Sequence, residues 1–229
     1  MLEISNDNTV AIHITKMCNL RCPYCYQKDY SNYSQTINLK EAFKAIDVLG
    51  PKNIVLFGGE PVVQPKIVKA IINKYPDKGY ILHTNGTIRN EEILDRVDAI
   101  YLTMEHFLKY KEAKYRPMTG KQYESMIGIL NDYKDKIIVI HNIYPDDYDH
   151  TFYRMARLYG IKVQSYPMVT DSEDMVFASE TTQYLPANCG HLTKPKLRIL
   201  EDGIITRDMR GIYNICKADD WKEEYRDFE

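Results

Sequence analysis

The chain lacks the features that would place it in several broad classes. It has no long apolar run, and its first residues, MLEISNDNTVAIHI, carry acids early. They read as neither a signal peptide nor a spanning helix, so a cytoplasmic protein with no membrane partner and with reduced thiols is expected. Net charge is nearly absent, at -2 over 229 residues. That excludes a broad basic surface for a nucleic-acid backbone and leaves room only for a local groove. Cysteine is scarce and odd in number, five in all, which argues against a disulfide framework and for metal or redox chemistry. There is no low-complexity tract and no repeat beyond a strand–helix alternation. What is present is a 44% hydrophobic content, enough for a core, in a length that fits one large α/β domain with or without a small appendage. The 19 tyrosines read as core and rim aromatics.

Short apolar, β-branched runs alternate with helical patterns. The runs are VAIHIT (10–15), NIVLFG (53–58), YILHT (80–84), AIYLTM (99–104), KIIVIHNI (136–143) and KVQSYP (162–167). Each is almost continuously apolar, as strands buried on both faces of a parallel sheet should be. Helices are expected over LKEAFKAIDVL after Asn38, with Glu41 completing a capping box, and over 65–75, 91–97, 120–133 and 150–159. Six alternations are too few for a closed eightfold barrel. The expected fold is α/β: a partial (β/α)6 parallel barrel with a small C-terminal β-hairpin and helix appendage. The core takes residues 1–167 and the appendage 168–229. LRILEDGIITRD (197–208) reads as the hairpin, turning at Asp202-Gly203, and ADDWKEEYRDFE as the terminal helix.

KMCNLRCPYCYQ (16–27) follows the first strand and places Cys18, Cys22 and Cys25 within eight residues. A loop there lies at the carboxyl end of a parallel strand, where α/β proteins hold their chemistry. Thiolates suit zinc or iron–sulfur clusters. Structural zinc normally takes four ligands, and the loop offers three. His13 is a poor fourth ligand, given strand alternation and its distance from the loop. A [4Fe–4S] cubane held by three thiolates instead leaves one iron open for a substrate or cofactor.

Three further stretches end strands. In FGGEPVV (57–63), the two glycines permit close backbone approach to a ligand, and Pro61 leaves carbonyls facing outward. Gly-Gly-Glu-Pro alone is equally a tight turn. HTNG (83–86) alone is an Asn-Gly turn, and YLTMEHF (101–107) closes the fourth strand. His141, Asn142, Ser165 and Tyr166 end the last two strands, where they either face a substrate or serve as satisfied caps.

Cys18-Asn-Leu-Arg-Cys22-Pro-Tyr-Cys25 resembles the C-x3-C-x2-C loop of the radical S-adenosylmethionine (radical SAM) enzymes, including the aromatic before the third cysteine. The resemblance implies a [4Fe–4S] cluster whose open iron chelates SAM, and an electron donor of flavodoxin or ferredoxin type. It assigns Tyr24 to the adenine side of SAM, and Gly58, Gly59, Glu60 and Pro61 to its amino group. Asn85 falls near the cofactor. Thr103 and Glu105 stand where relatives often have Ser-Leu-Asp-Gly, and face the ribose. Arg116 matches an arginine that pairs with the SAM carboxylate, as a guanidinium fork can.

NCGHLTKPKLRILEDGIITRDM (188–209) resembles the auxiliary-cluster segment, SPASM or the shorter twitch form, of many such enzymes. Cys189 and Gly203 fit that pattern, Asp208 stands at a cysteine position, and Cys216 follows. Two readings remain open. Cys189, Asp208 and Cys216, with His191 or substrate as a fourth ligand, hold a second cluster; or the cluster is lost and the hairpin is a lid. Oxygen is a poorer ligand than thiolate here, and cysteine also fills cores.

The function expected from the resemblance is reductive cleavage of SAM and hydrogen abstraction from a peptide or small molecule, as in a maturase or dehydrogenase. The sequence offers no spare N-terminal segment for a leader-peptide-binding domain, which weighs against a self-sufficient peptide maturase and leaves open one with a separate peptide-recognition protein. The alternatives are an activase that installs a glycyl radical on a partner, a nucleobase-modifying enzyme, and a non-catalytic iron–sulfur or zinc protein.

Overall fold

The computed structural model of the chain describes residues 8–25, 34–143, 150–167, 197–199, 204–206 and 214–217. Six strands, β1 (Thr9–His13), β2 (Asn53–Phe57), β3 (Gly79–Thr84), β4 (Ala99–Thr103), β5 (Ile137–Ile143) and β6 (Lys162–Pro167), pair with their sequence neighbours in parallel. Helices fill the connections: α1 (Leu39–Leu49), α2 (Pro65–Lys74), α3 (Glu91–Leu94), α4 (Lys109–Tyr115), α5 (Gly120–Asp132) and α6 (His150–Leu158). Among the described residues the sheet runs from β6 at one edge to a C-terminal strand, Asn214–Lys217, at the other and does not close.

Successive side chains of a strand point to opposite faces. On one face Val10, Ile12, Leu56, Leu82, Ile100 and Val139 are buried with helix residues such as Ile46, Ile71, Met126 and Phe152. On the other, Ala11, Val55, Phe57, Ile81, Tyr101 and Ile140 form a second, smaller core. Burial on both faces is why these segments read as continuous apolar runs.

Helix ends follow local chemistry. The Asn38 side chain accepts from Lys40 N at 3.0 Å, one residue short of the capping box expected with Glu41. The reciprocal box forms at α5 instead, between Thr119 and Gln122. α1 stops at Gly50, which is left-handed at φ 53° and donates its N–H to Ile46 O. Helix α4 occupies a stretch that the sequence reading leaves without a helix, because KYKEAKY shows almost no apolar periodicity.

The C-terminal hairpin joins the sheet. β7 (Leu197–Ile199) pairs in parallel with β1, and β8 (Ile204–Thr206) pairs antiparallel with β7. β9 (Asn214–Lys217), not expected from sequence, pairs antiparallel with β8. The Asp202-Gly203 turn and the terminal helix lie outside the described residues.

Beyond the ends of β1 and β2 the two chains stay zipped. Ile14 N donates to Phe57 O at 2.8 Å, Gly59 N to Thr15 O at 2.7 Å and Glu60 N to Met17 O at 2.8 Å. A Cβ on Gly58 would lie 2.4 Å from Thr15 O, and one on Gly59 2.2 Å from Met17 O. The obstacle in each case is a carbonyl of the neighbouring chain, locked in the hydrogen bonds just named. Gly59→Ala is therefore expected to cost about 3 kcal/mol or more in denaturant unfolding. Gly50→Ala, whose Cβ would meet nothing within 4 Å, should cost only about 1–2 kcal/mol for its left-handed backbone. Equal costs at the two positions would contradict this account of the Gly58–Gly59 contact.

Candidate functional site

The carboxyl ends of β1 to β4 converge on the cysteine loop. Thr15 anchors the loop's start: its hydroxyl donates to Gln35 O at 2.9 Å and accepts from Met17 N at 3.1 Å. The loop then turns on itself, with Arg21 Nη1 donating to Cys18 O and Leu20 O, both at 2.9 Å, and Cys25 N donating to Cys22 O at 3.1 Å. Among the described residues Cys18, Cys22 and Cys25 are not in disulfides, and all three are half-buried. Cys18 Sγ accepts from Leu20 N at 3.4 Å and from Asn85 Nδ2 at 3.6 Å.

Burial raises the Cys18 thiol above its ordinary pKa. Burial likewise pushes Cys22 up to about 11, against the nearby Arg116 charge, with Cys18 and Cys25 adding to the rise. A bound metal deprotonates such thiols outright, and donors aimed at a sulfur stabilise its charge. Among the described residues, no three His, Cys, Asp or Glu side chains crowd closely enough to ligate one ion. In a four-iron cluster each thiolate binds a different iron, so three soft, half-buried thiols spread along one loop fit that donor set. His13 sits in the sheet, edge-on to Phe57 with ring centroids 4.8 Å apart.

Glu60 stands at the junction with β3. It is buried, and its carboxylate accepts from Thr84 Oγ1 at 2.8 Å, Val62 N at 3.1 Å and Asn85 N at 2.7 Å. Burial raises its pKa, and those bonds oppose the rise. Pro61 is buried at the start of a 3-10 turn, Pro61–Val63. Asn85 reaches back to the cysteine loop through Asn19 Oδ1 at 3.0 Å, and Asn19 Nδ2 in turn donates to Thr87 Oγ1 at 2.7 Å.

A second junction joins β4, β5 and the same loop. Tyr24 OH donates to Glu105 Oε1 at 2.7 Å. Glu105 also accepts from Asn142 N at 2.9 Å and Asn142 Nδ2 at 2.6 Å. Burial, aided by repulsion from Glu112, pushes the Glu105 carboxyl up to about 7. The Thr103 hydroxyl lies 3.3 Å from His83 Nε2.

Arg116 is 1% exposed. Its Nη1 donates to Glu112 Oε1 at 2.8 Å and to Thr103 O, and its Nη2 to Asn85 O at 2.9 Å. Burial works against its charge, but Glu112, Tyr24 and Glu105 outweigh burial and raise its pKa.

Of the expected cofactor residues, Asn85 reaches Cys18 and is held by Glu60, Tyr24 meets Glu105, Arg116 holds the Thr103 and Asn85 carbonyls, and Gly58 and Gly59 pack on Thr15 and Met17 just ahead of Cys18. Sequence reasoning missed Asn19, Thr87 and Glu112. A helix over 109–115 would have exposed the Glu112–Arg116 i,i+4 pair. Of the strand-end polar residues, Asn142 joins this junction. His141 and Ser165 meet elsewhere, through Tyr153 OH, at 3.1 and 2.7 Å. Cys189, His191 and Asp208 lie outside the described residues, and Cys216 lies on β9 opposite Ile205.

A family model, Radical SAM superfamily, matches residues 12–159. The GTP 3',8-cyclase of Clostridium perfringens is 36% identical over 91 residues, 36% of this chain and 28% of the cyclase. A candidate glycyl-radical enzyme activating enzyme of Methanocaldococcus jannaschii is 33% identical over 103 residues, 42% of this chain and 43% of that protein. The chain therefore spans less than half the length of either relative. Among solved structures, anSMEcpe with bound AdoMet superposes with a TM-score of 0.67 at 13% identity, covering 95% of this chain and 79% of that one. Streptococcus suis SuiB bound to the precursor peptide SuiA gives 0.68 at 10%, covering 97% and 67%. At these identities the likeness is one of fold.

Glu105 generates a pH prediction. Its folded pKa, about 7, lies above the ordinary carboxylate value of 4.5, so the protonated form favours the fold. Its contribution is complete below the unfolded value and is lost as pH rises through 7. Glu105→Gln removes this term, so from pH 5 to pH 8 the variant should lose about 2 kcal/mol less unfolding free energy than the parent. Parallel pH profiles for the two proteins would contradict it.

Proposed function

The chain belongs to the radical SAM superfamily, and from that premise we propose that Cys18, Cys22 and Cys25 hold a [4Fe–4S] cluster that binds SAM at its fourth iron. Held there, such a cluster would supply the electron for breaking a SAM carbon–sulfur bond, and hence a 5'-deoxyadenosyl radical able to take hydrogen from a substrate. The observation that carries the reading is the set of three half-buried thiols in the loop after β1, with Asn85, just past β3, bonded to Cys18 Sγ.

The chain's own residues position and enclose. Glu60 holds the Asn85 N–H, and Asn85 steadies the loop at Cys18 and Asn19. On this reading the Gly58 and Gly59 carbonyls serve the SAM amino group, those of Glu60 and Pro61 being taken by Val63 N and Gln64 N, while Tyr24 serves its adenine and Thr103 and Glu105 its ribose. Arg116 favours the carboxylate side by its charge. The protein's part is placement and exclusion of water, while the cofactor supplies the difficult chemistry.

The substrate is a peptide or a small molecule, in a maturase or dehydrogenase type of reaction. Fold likeness to SuiB with its precursor peptide supports the first, and local similarity to GTP 3',8-cyclase the second. Similarity to the candidate activating enzyme supports a second reading, in which a partner protein receives a glycyl radical. Electrons come from a flavodoxin or ferredoxin type of donor, in the cytoplasm. Among the described residues no helix is long and apolar enough to cross a membrane. A twitch-like second cluster on Cys189, Asp208 and Cys216 remains part of this proposal.

Anaerobic incubation with SAM and dithionite tests the core of it. The parent protein should carry iron and release 5'-deoxyadenosine, and Cys18→Ala, Cys22→Ala and Cys25→Ala should each reduce release to background. Undiminished release from any of the three sinks the reading. About four irons per chain indicates one cluster, and about eight indicates two.

A further inference from the structure

Glu112 is fully buried, and both its oxygens are engaged. Oε2 accepts from two consecutive backbone groups, Glu105 N at 2.7 Å and His106 N at 2.6 Å. Oε1 accepts from Arg116 Nη1 at 2.8 Å. Arg116 also donates to the carbonyls of Thr103 and Asn85. One carboxylate and one guanidinium, a single turn apart on α4 and just beyond it, therefore grip the ends of β3 and β4 together.

A buried ion pair is a poor device for stability alone. Desolvation offsets most of its attraction, and well-packed apolar residues serve as well or better. What apolar side chains cannot do is accept two adjacent N–H groups while anchoring a guanidinium against two carbonyls. With the amides of Glu105 and His106 fixed on Glu112, the Glu105 side chain is left to meet Tyr24 OH and Asn142. Tyr24 is the residue immediately before Cys25. The linkage thus runs without a break from α4 through the β4 segment to the cysteine loop.

We propose that Glu112 is a positioning residue of the cofactor site, holding the Thr103–His106 segment directly and Asn85 through Arg116. The inference rests on the proposed SAM site at these segments and adds to it. Beyond the charge it lends that site, Arg116 has its fork engaged inside the protein and holds the Thr103 and Asn85 carbonyls.

The test compares the parent, Glu112→Gln, and Ile46→Ala as a core truncation on α1 away from the site. Glu112→Gln keeps the shape but takes away the charge that balances Arg116. Two readouts are used on the full chain. Hydrogen exchange, read without SAM, should quicken by about 10-fold or more at Glu105 and His106 in Glu112→Gln and stay unchanged there in Ile46→Ala. In the iron-loaded proteins, the KM for SAM in 5'-deoxyadenosine release should rise about 10- to 100-fold in Glu112→Gln, with the iron content of the parent. Ile46→Ala should leave that KM in place. If Glu112→Gln does not fold, Glu112→Asp carries the same expectations, because its carboxylate is one methylene short of the two amides. An unchanged exchange rate, an unchanged KM in a folded and iron-loaded variant, or an equal KM rise in Ile46→Ala overturns the proposal. If the parent itself releases no 5'-deoxyadenosine, the SAM reading fails separately, and exchange still decides whether Glu112 holds the segment.

Discussion

The approach of two backbones, closer than any side chain would allow, sets the geometry of the whole upper face of the sheet. Gly58 and Gly59 press against Thr15 and Met17, and the ladder between β1 and β2 continues past the strand ends as a result. That continuation brings the segment after β2 against the start of the cysteine loop. It also aims Glu60 across at β3, where one carboxylate gathers the hydroxyl of Thr84 and the N–H of Asn85. Asn85 then returns to Cys18 and Asn19. The circuit from β1 to β2 to β3 and back is closed by hydrogen bonds, so the loop's position is determined by three strands and not by its own sequence alone.

Buried charge is the second organising feature. Glu60, Glu105 and Glu112 are all buried, and Arg116 is the buried cation among them. Carboxylates so placed must be hydrogen-bonded or neutralised. Each accepts at least two backbone or side-chain donors. Burial still raises the pKa of Glu60 and Glu105. An assembly of this kind adds little net stability, but it holds the ends of β3, β4 and β5 in one arrangement. It is a framework suited to holding a cofactor with several polar groups.

Strands β1 to β5 were legible in the sequence because both their faces are largely buried, which leaves an apolar signature, whereas β6 lies at the sheet edge with Lys162 exposed and Gln164 half-buried. The cysteine loop was legible because its spacing is distinctive. Other features depend on tertiary contacts that leave no local trace. α4 is short and polar, follows Leu108 with no side-chain cap, and is held in place by Glu112 and Arg116. The two glycines were read as room for a ligand, whereas the atoms that exclude a Cβ belong to Thr15 and Met17. A hairpin was readable at 197–208, but not its pairing with β1, since nothing within a hairpin names the strand it will join.

The central claim is that three thiolates leave one iron of a cluster free to bind SAM. Electron–nuclear double resonance on the reduced, reconstituted protein tests it most directly, using SAM labelled with 15N at the amino group and 17O at the carboxylate. The account predicts hyperfine coupling of both labels to the cluster, lost when the label is moved to the adenine ring. A cluster signal that stays the same with and without SAM and shows no coupling to either label would contradict it.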